Sequence, residues 1–418
     1  MNAEILVTGT ELLTGPVVDN HSAYIARKLE AAGVEVIRHS CVGDDPEAIE
    51  IVLKEISQRS EMAVITGGLG PTDDDTTAVA AARAAGVEVI EDSKALNSIK
   101  NYLKNRQIPL TNSRRKQAFL PKGSKCLINP IGTAPGFWLK IDRCQFFFLP
   151  GVPSEMQQML ANDVIPAINA SKGTDSRVRL VKTLTVFGLP ESTAGEQLAG
   201  FEDLFPQIKL GFRVNFPEIQ VKLYARGSDE QSLQEQLEMA SRWACRKLDN
   251  RVFSEAGESM PKVVGDLLRE NGATVATAES CTGGLIADLL TDVSGSSDYF
   301  LLSTVTYANQ AKMKVLGVSG ETLDKHGAVS EETAKEMAKG VQQISGSTYG
   351  LATSGIAGPG GGTEGKPVGT VCIGLATADL VSGHRFSYHF DNRRMNKHIF
   401  AVTALDLLRR DLLGIKPI

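Results

Sequence analysis

Short runs of consecutive apolar residues alternate, over most of this chain, with segments whose apolar positions recur every three to four residues. Glu4–Thr8, Val34–His39 and Met62–Thr66 read as buried strands, because a strand covered on both faces is apolar along nearly its whole length. Between and after them, residues 21–32, 46–58 and 76–85 carry the 3.6-residue spacing of amphipathic helices. This alternation predicts an α/β domain over residues 1-172, Rossmann-like, with a parallel sheet and helices on both faces. A polar break from Ser171 to Ser176 ends it. Residues 177-252 then read as a smaller α+β unit, with strands at Arg179–Phe187 and Gln220–Ala225 and a helix over Asp229–Leu248. A second polar break, Ser254 to Ser259, precedes Pro261, placed where proline opens a helix. The alternation returns over 258-418 and ends in a helix from about residue 395 to 413, which predicts a second α/β domain.

Composition narrows the partners. A length of 418 residues suits about three domains. The net charge of −5 and the pI near 5.8 weigh against a nucleic-acid binder. The six cysteines (41, 126, 144, 245, 281, 372) are scattered with no CxxC pair, as expected of reduced thiols in a cytoplasmic protein. No basic segment leads an apolar one, and no apolar run is long enough to span a bilayer, so no membrane partner is expected. A homodimer is the default expectation for assembly.

Chemistry concentrates in two pieces of the last third. Ala278-Glu279-Ser280-Cys281-Thr282-Gly283-Gly284 follows the apolar run 273–277 and precedes Leu285, Ile286, Leu289 and Leu290 at helical spacing. A strand, a tight turn and a helix are predicted, with Ser280 at the strand end beside the free backbone N–H groups of the helix start. Ser354-Gly355-Ile356-Ala357-Gly358-Pro359-Gly360-Gly361-Gly362 is too rich in glycine for a packed element and suits close approach to a phosphate. Gly360 to Lys366 fits GxxxxGK, but Pro367 stands where a P-loop places its Ser or Thr, which argues against an NTPase. No GxSxG surrounds Ser280, and none of the six histidines has a triad context. Lys312, just after the apolar strand 299–306, is the candidate base if burial lowers its pKa; a solvated helix lysine is the competing reading. Cys281 competes as nucleophile and Ser280 as a mere helix cap, and patterning alone leaves these open.

Together, AESCTGG, VTYANQAK, HGAVS (326–330), SGIAGPGGG and KPVGTV (366–371) occur in one order at close spacing. This resembles the CinA C-terminal domain, the nicotinamide mononucleotide deamidase family, over about 258 to 413. The resemblance implies a Ser/Lys amidohydrolase needing no cofactor, which converts nicotinamide mononucleotide to nicotinate mononucleotide and ammonia. It implies Ser280 as nucleophile and Lys312 as base and then acid, with Tyr307 and Ser354 as further catalytic-site residues. It also implies substrate contacts from Thr282, Gly283, Asn309, Gly355, Gly358, Gly360, Gly361 and Gly362. Arg393 stands in Asp391-Asn392-Arg393 where the family commonly has Gly-Asp-Arg, and would bind phosphate.

At the other end, Gly9-Thr10-Glu11 follows the first predicted strand and Gly67-Gly68-Leu69-Gly70-Pro71-Thr72-Asp73-Asp74-Asp75 follows the third. Ligands of open α/β sheets bind at these carboxyl ends. The acids either complement a helix dipole or bind a divalent metal for a pyrophosphate substrate. With Lys116-Gln117-Ala118, GTAPGF (132–137) and PGVPSEM (150–156), these motifs resemble the molybdopterin-binding-like (MoCF-like) domain that opens CinA proteins. The resemblance implies ADP-ribose pyrophosphatase activity with a divalent metal held by Asp75, then Asp74, Glu11 and Asp19, and substrate contacts from Gly9, Gly67, Gly68 and Gly70. Relatives often read Asp-Thr-Asn where this chain has Asp19-Asn20-His21. Residues 177-252 fall where the family has a KH-like middle domain, but no GxxG clamp for nucleic acid is present, so a structural connector is expected. A different class remains: a non-enzymatic molybdopterin-binding or competence-related protein.

Overall fold

The computed structural model describes residues 1–171 and 178–416. The polar break at 172–176 lies outside the described residues. The chain divides into two compact units, Met1–Ser176 and Arg177–Ile418.

In the first unit, β1 (Asn2–Thr8), β2 (Glu35–Val42) and β3 (Met62–Thr66) form the parallel heart of a six-stranded sheet. A short antiparallel pair, β4 (Val89–Glu91) with β5 (Phe119–Pro121), stands apart. Then β6 (Lys125–Leu127), β7 (Gly136–Ile141) and β8 (Cys144–Leu149) complete the order β2-β1-β3-β8-β7-β6. β8 runs parallel to β3, whereas β7 and β6 are antiparallel additions at one edge. Because successive side chains point to opposite faces, Leu6 packs with Ile49, Leu53 and Phe148 on one side while Ile5 and Val7 pack with Ile25, Leu29 and Leu149 on the other. Helix Pro46–Arg59 illustrates how sequence sets these layers. Asp45 caps it by accepting from Glu47 N at 3.3 Å, Pro46 sits in the first turn, and Ile49, Leu53 and Ile56 form its buried stripe.

The second unit opens with β9 (Val178–Val186), β10 (Ile208–Asn215), β11 (Glu218–Gly227) and β12 (Val252–Ser254), an antiparallel sheet ordered β10-β11-β9-β12. Helix Glu230–Leu248 covers it through Leu233, Leu237 and Leu248. β10 and β12 extend the sequence reading, and β10 carries a legible period of two in Ile208, Leu210, Phe212 and Val214. The β10–β11 hairpin reaches the rest of the unit. Phe216 meets Phe390 edge-on at 5.1 Å between ring centroids, and Met260 N donates to the buried Glu218 Oε1 at 3.1 Å.

Five strands follow: β13 (Val275–Glu279), β14 (Phe300–Val305), β15 (Tyr349–Gly355), β16 (Thr370–Ala376) and β17 (Val381–Ser387), ordered β14-β13-β15-β16-β17. The first three are mutually parallel and the last two antiparallel. On one face lie helices Met260–Glu270 and Arg393–Leu412 with Val264, Leu268, Phe400 and Leu405, and on the other helix Glu331–Ser345 with Met337, Ala338 and Val341. Central β13 is thus covered twice, and its carboxyl end is the crevice where open α/β sheets place ligands. Among the described residues, no helix is long and apolar enough to cross a membrane.

Candidate active site

Ser280 stands at the carboxyl end of β13, its N–H donating to Thr353 O of neighbouring β15 at 3.0 Å. Its side chain is only 8% exposed. Lys312 lies one turn into helix Asn309–Leu316, which follows β14 on the other side of β13, so adjacent parallel strands deliver both groups to one place. The Lys312 ammonium donates to Ser280 Oγ at 3.0 Å, to Thr306 O at 2.8 Å and to Tyr307 O at 3.0 Å. At 1% exposure it is among the largest fully buried side chains of the unit. Burial disfavours the charged form and pulls its pKa below the ordinary lysine value of 10.5. With two N–H bonds fixed on carbonyls, loss of the third proton leaves a lone pair facing the Ser280 hydroxyl. Of the two sequence readings of Lys312, the buried amine is the observed one.

The helix amides beside Ser280 are not free. Glu279, fully buried, accepts from Gly284 N at 2.9 Å, Ile286 N at 3.2 Å and Ala287 N at 2.9 Å. These N–H groups, which the sequence reading left available to a substrate, are consumed within the protein. Motif position gives Glu279 no role, since a carboxylate that caps from the end of the preceding strand lies outside the usual cap position.

The surroundings of Cys281 argue against it as the alternative nucleophile. Its side chain is buried against Gly355, and burial pushes its thiol pKa up to about 12. Gly355 belongs to strand β15, although its stretch reads as too rich in glycine for a packed element: a methyl group there would lie 2.6 Å from Thr370 O. Thr282 and Ser354 are likewise internal braces. The Thr282 hydroxyl bonds Thr353 Oγ1 at 2.8 Å, and Ser354 Oγ donates to Ala328 O at 2.6 Å, tying β15 to the 326–330 segment.

The glycine-rich loop is held from the helix that closes the unit. Arg393 donates to Gly358 O at 2.6 Å and reaches Tyr307 Oη at 3.4 Å, while Asn396 Nδ2 donates to Ala357 O at 3.1 Å and Phe390 O at 2.8 Å. Gly360, Gly361 and Gly362 lie beyond this clamp on the exposed part of the loop, and Tyr307 and Asn309 are exposed at the crevice rim.

In the first unit, a cavity of about 690 Å³ opens at the carboxyl ends of β1, β3 and β8. Gly9, Glu11, Asp19, Gly67, Gly68, Gly70, Asp74 and Asp75 all line it. His21 faces it too, its Nδ1 at 3.3 Å from Thr66 Oγ1, and burial lowers its pKa. Sequence reasoning missed Asp44, whose Oδ2 accepts from Thr10 N at 2.9 Å and Thr10 Oγ1 at 2.8 Å. Glu155 carries a carboxyl lifted above its usual range by burial, with Asn129 Nδ2 donating to it at 2.6 Å.

The acids of this cavity do not fit a divalent ion as arranged. Asp75 Oδ2 accepts from Thr72 N at 2.8 Å and Thr72 Oγ1 at 2.5 Å, and Asp19 Oδ1 accepts from Ser22 N at 2.9 Å. Among the described residues, no three His, Cys, Asp or Glu side chains gather as a metal-ligand set.

Against known proteins, residues 257–412 match the family described as the CinA C-terminal domain, and residues 4–170 match the probable molybdopterin binding domain. The chain is similar to the CinA-like protein of Desulfosudis oleivorans, 54% identical over 99% of this chain and 100% of that protein. It is also similar to the CinA-like protein of Desulforapulum autotrophicum, 45% identical over 99% of each. Among solved structures, the competence/damage inducible protein CihA from Agrobacterium tumefaciens is 40% identical, covering 36% of this chain and 94% of that one, with a TM-score of 0.35.

Proposed function

This chain belongs to the CinA family, and on that premise we propose that its second unit is a Ser/Lys amidohydrolase that hydrolyses the carboxamide of nicotinamide mononucleotide. The observation that carries the proposal is the fully buried Lys312 amine 3.0 Å from the Ser280 hydroxyl. Neutral Lys312 takes the hydroxyl proton as Ser280 Oγ attacks the carboxamide carbon. The tetrahedral adduct then expels ammonia, which leaves with the proton held by Lys312, and an ester to Ser280 remains. Water, deprotonated by the same amine, cleaves that ester to nicotinate mononucleotide and restores the hydroxyl. Thr306 O and Tyr307 O keep the amine aimed throughout. The test is ammonia release from nicotinamide mononucleotide with and without a chelator. Chelator-insensitive turnover supports the proposal, and absence of turnover sinks it.

The same geometry predicts the acid limb of the pH profile. Protonated Lys312 cannot accept the serine proton, so kcat/KM falls as pH drops through its pKa, at a pH below the usual lysine value of 10.5. Linkage has a definite sign too: the folded chain binds fewer protons than the unfolded one between those two values, so stability rises with pH there. A profile whose acid limb is unchanged by Lys312→Arg would contradict this assignment.

For the first unit we propose ligand binding at the 690 Å³ cavity, with ADP-ribose pyrophosphatase activity as the reading to test. No step is derived through an ion, since the acids do not converge. Asp75→Ala tests the metal assignment that the resemblance implies: a loss of about tenfold or more in metal-dependent ADP-ribose hydrolysis would mean that the acids rearrange around an ion, and undiminished turnover removes Asp75 from any metal site. Tight pterin binding with no turnover of either nucleotide favours the non-enzymatic reading instead.

A further inference from the structure

The crevice at Ser280 contains a second amine that the reaction scheme leaves unused. Lys397 lies on helix Arg393–Leu412, one turn after Arg393 and next to Asn396. Residues three and four apart share a helix face. Asn396 and Arg393 are held against the glycine-rich loop, so Lys397 is delivered to the same side. Its Nζ lies 3.4 Å from where a methyl group on Gly283 would sit, directly over the turn after Ser280. Gly283 adopts φ +65, a left-handed turn, and lacks the side chain that would otherwise occupy the space beneath the ammonium.

Three charges of this crevice are already committed. Arg393 spends its guanidinium on Gly358 O and Tyr307 Oη. Lys312 is buried on Ser280 and two carbonyls. Glu279, the acid of the same turn, is buried on three amides and does not neutralise the rim. The Lys397 ammonium makes no hydrogen bond or ion pair with any described residue. A half-buried cation held beside a turn with no counter-ion is a place for a ligand anion.

We propose that Lys397 binds the phosphate of the mononucleotide, while Arg393 serves as the clamp that fixes the glycine-rich loop. This inference rests on the amidohydrolase reading above. Its geometry is consistent with one substrate lying across the turn. Gly283 is three residues from Ser280, so the Cα atoms of the two residues lie within about 11 Å of one another. A carboxamide at Ser280 and a phosphate at Lys397 therefore mark the two ends of a ribosyl nucleotide. The resemblance gave this role to Arg393 by motif position; Lys397 follows four residues later, outside the quoted motif.

The decisive measurement compares nicotinamide mononucleotide with nicotinamide riboside, which lacks the phosphate. With Lys397→Met, KM for the mononucleotide is expected to rise about tenfold or more, with kcat little changed and riboside turnover unaffected. Lys397→Arg is expected to recover most of the loss. Equal losses on both substrates, or an unchanged KM, would overturn the assignment. Calorimetric binding of both compounds to Ser280→Ala protein, with and without Lys397→Met, separates the two claims. Phosphate-dependent binding that is lost with Lys397→Met in protein whose parent shows no turnover would retain the phosphate site and reject the Ser/Lys chemistry. Phosphate-dependent binding that survives Lys397→Met would reject the phosphate site alone.

Discussion

Ser280→Ala protein is expected to release ammonia from nicotinamide mononucleotide at least about 10³-fold more slowly than the parent, with an unchanged melting temperature. The side chain is small and its loss leaves only the Lys312 bond unmade on that side, while the amine keeps Thr306 O and Tyr307 O. Cys281 is not expected to substitute, because burial pushes its thiol pKa up to about 12. Cys281→Ala should therefore keep most of the activity. Lys312→Met is expected to cost a similar factor, and the double variant scarcely more than either, since nucleophile and base act as one unit. Additive losses across the three variants would show that the two residues do not share a step.

The second large effect concerns stability. Helix Glu331–Ser345 lies backbone-on-backbone across the sheet. A methyl group on Gly374 of β16 would fall on the Ala334 carbonyl oxygen, and one on Gly350 of β15 on the Ala338 carbonyl oxygen one turn later. Neither carbonyl can move without breaking the helix ladder. Gly374→Ala is therefore expected to destabilise the second unit by about 3 kcal/mol, lowering its melting transition by ~10 °C. Gly360→Ala, where nothing lies within 4 Å of the added methyl, is the control and should melt with the parent. A Gly374→Ala transition within ~2 °C of the parent would mean that the helix is not seated as closely as described.

What the sequence disclosed about this site follows from where each signal is stored. Ser280 and Lys312 lie at the ends of adjacent parallel strands, and their strand–turn–helix settings are local patterns. The α/β class of both ends was legible for the same reason. Glu279, Asp44 and Lys397 were not, because each acts across a turn or between distant segments: Asp44 braces Thr10, and Lys397 reaches Gly283. The glycines misled in part. Gly355 reads as part of a stretch open to a phosphate, but the close approach that it permits is that of Thr370 O from the neighbouring strand. Strand β10 was readable from its alternation, whereas three-residue β12 carries too little pattern to stand out.

The Phe216–Phe390 contact gives the antiparallel sheet a stake in the chemistry. Phe390 O is one of the two acceptors that hold Asn396, and Asn396 seats the helix carrying Arg393 and Lys397. Free-energy coupling between two sites is reciprocal. If docking of the β10–β11 hairpin on Phe390 strengthens ligand binding in the crevice through that helix start, ligand must strengthen hairpin docking by the same factor. Amide exchange at its tip thus becomes a remote gauge of occupancy, readable with a ligand that is never turned over.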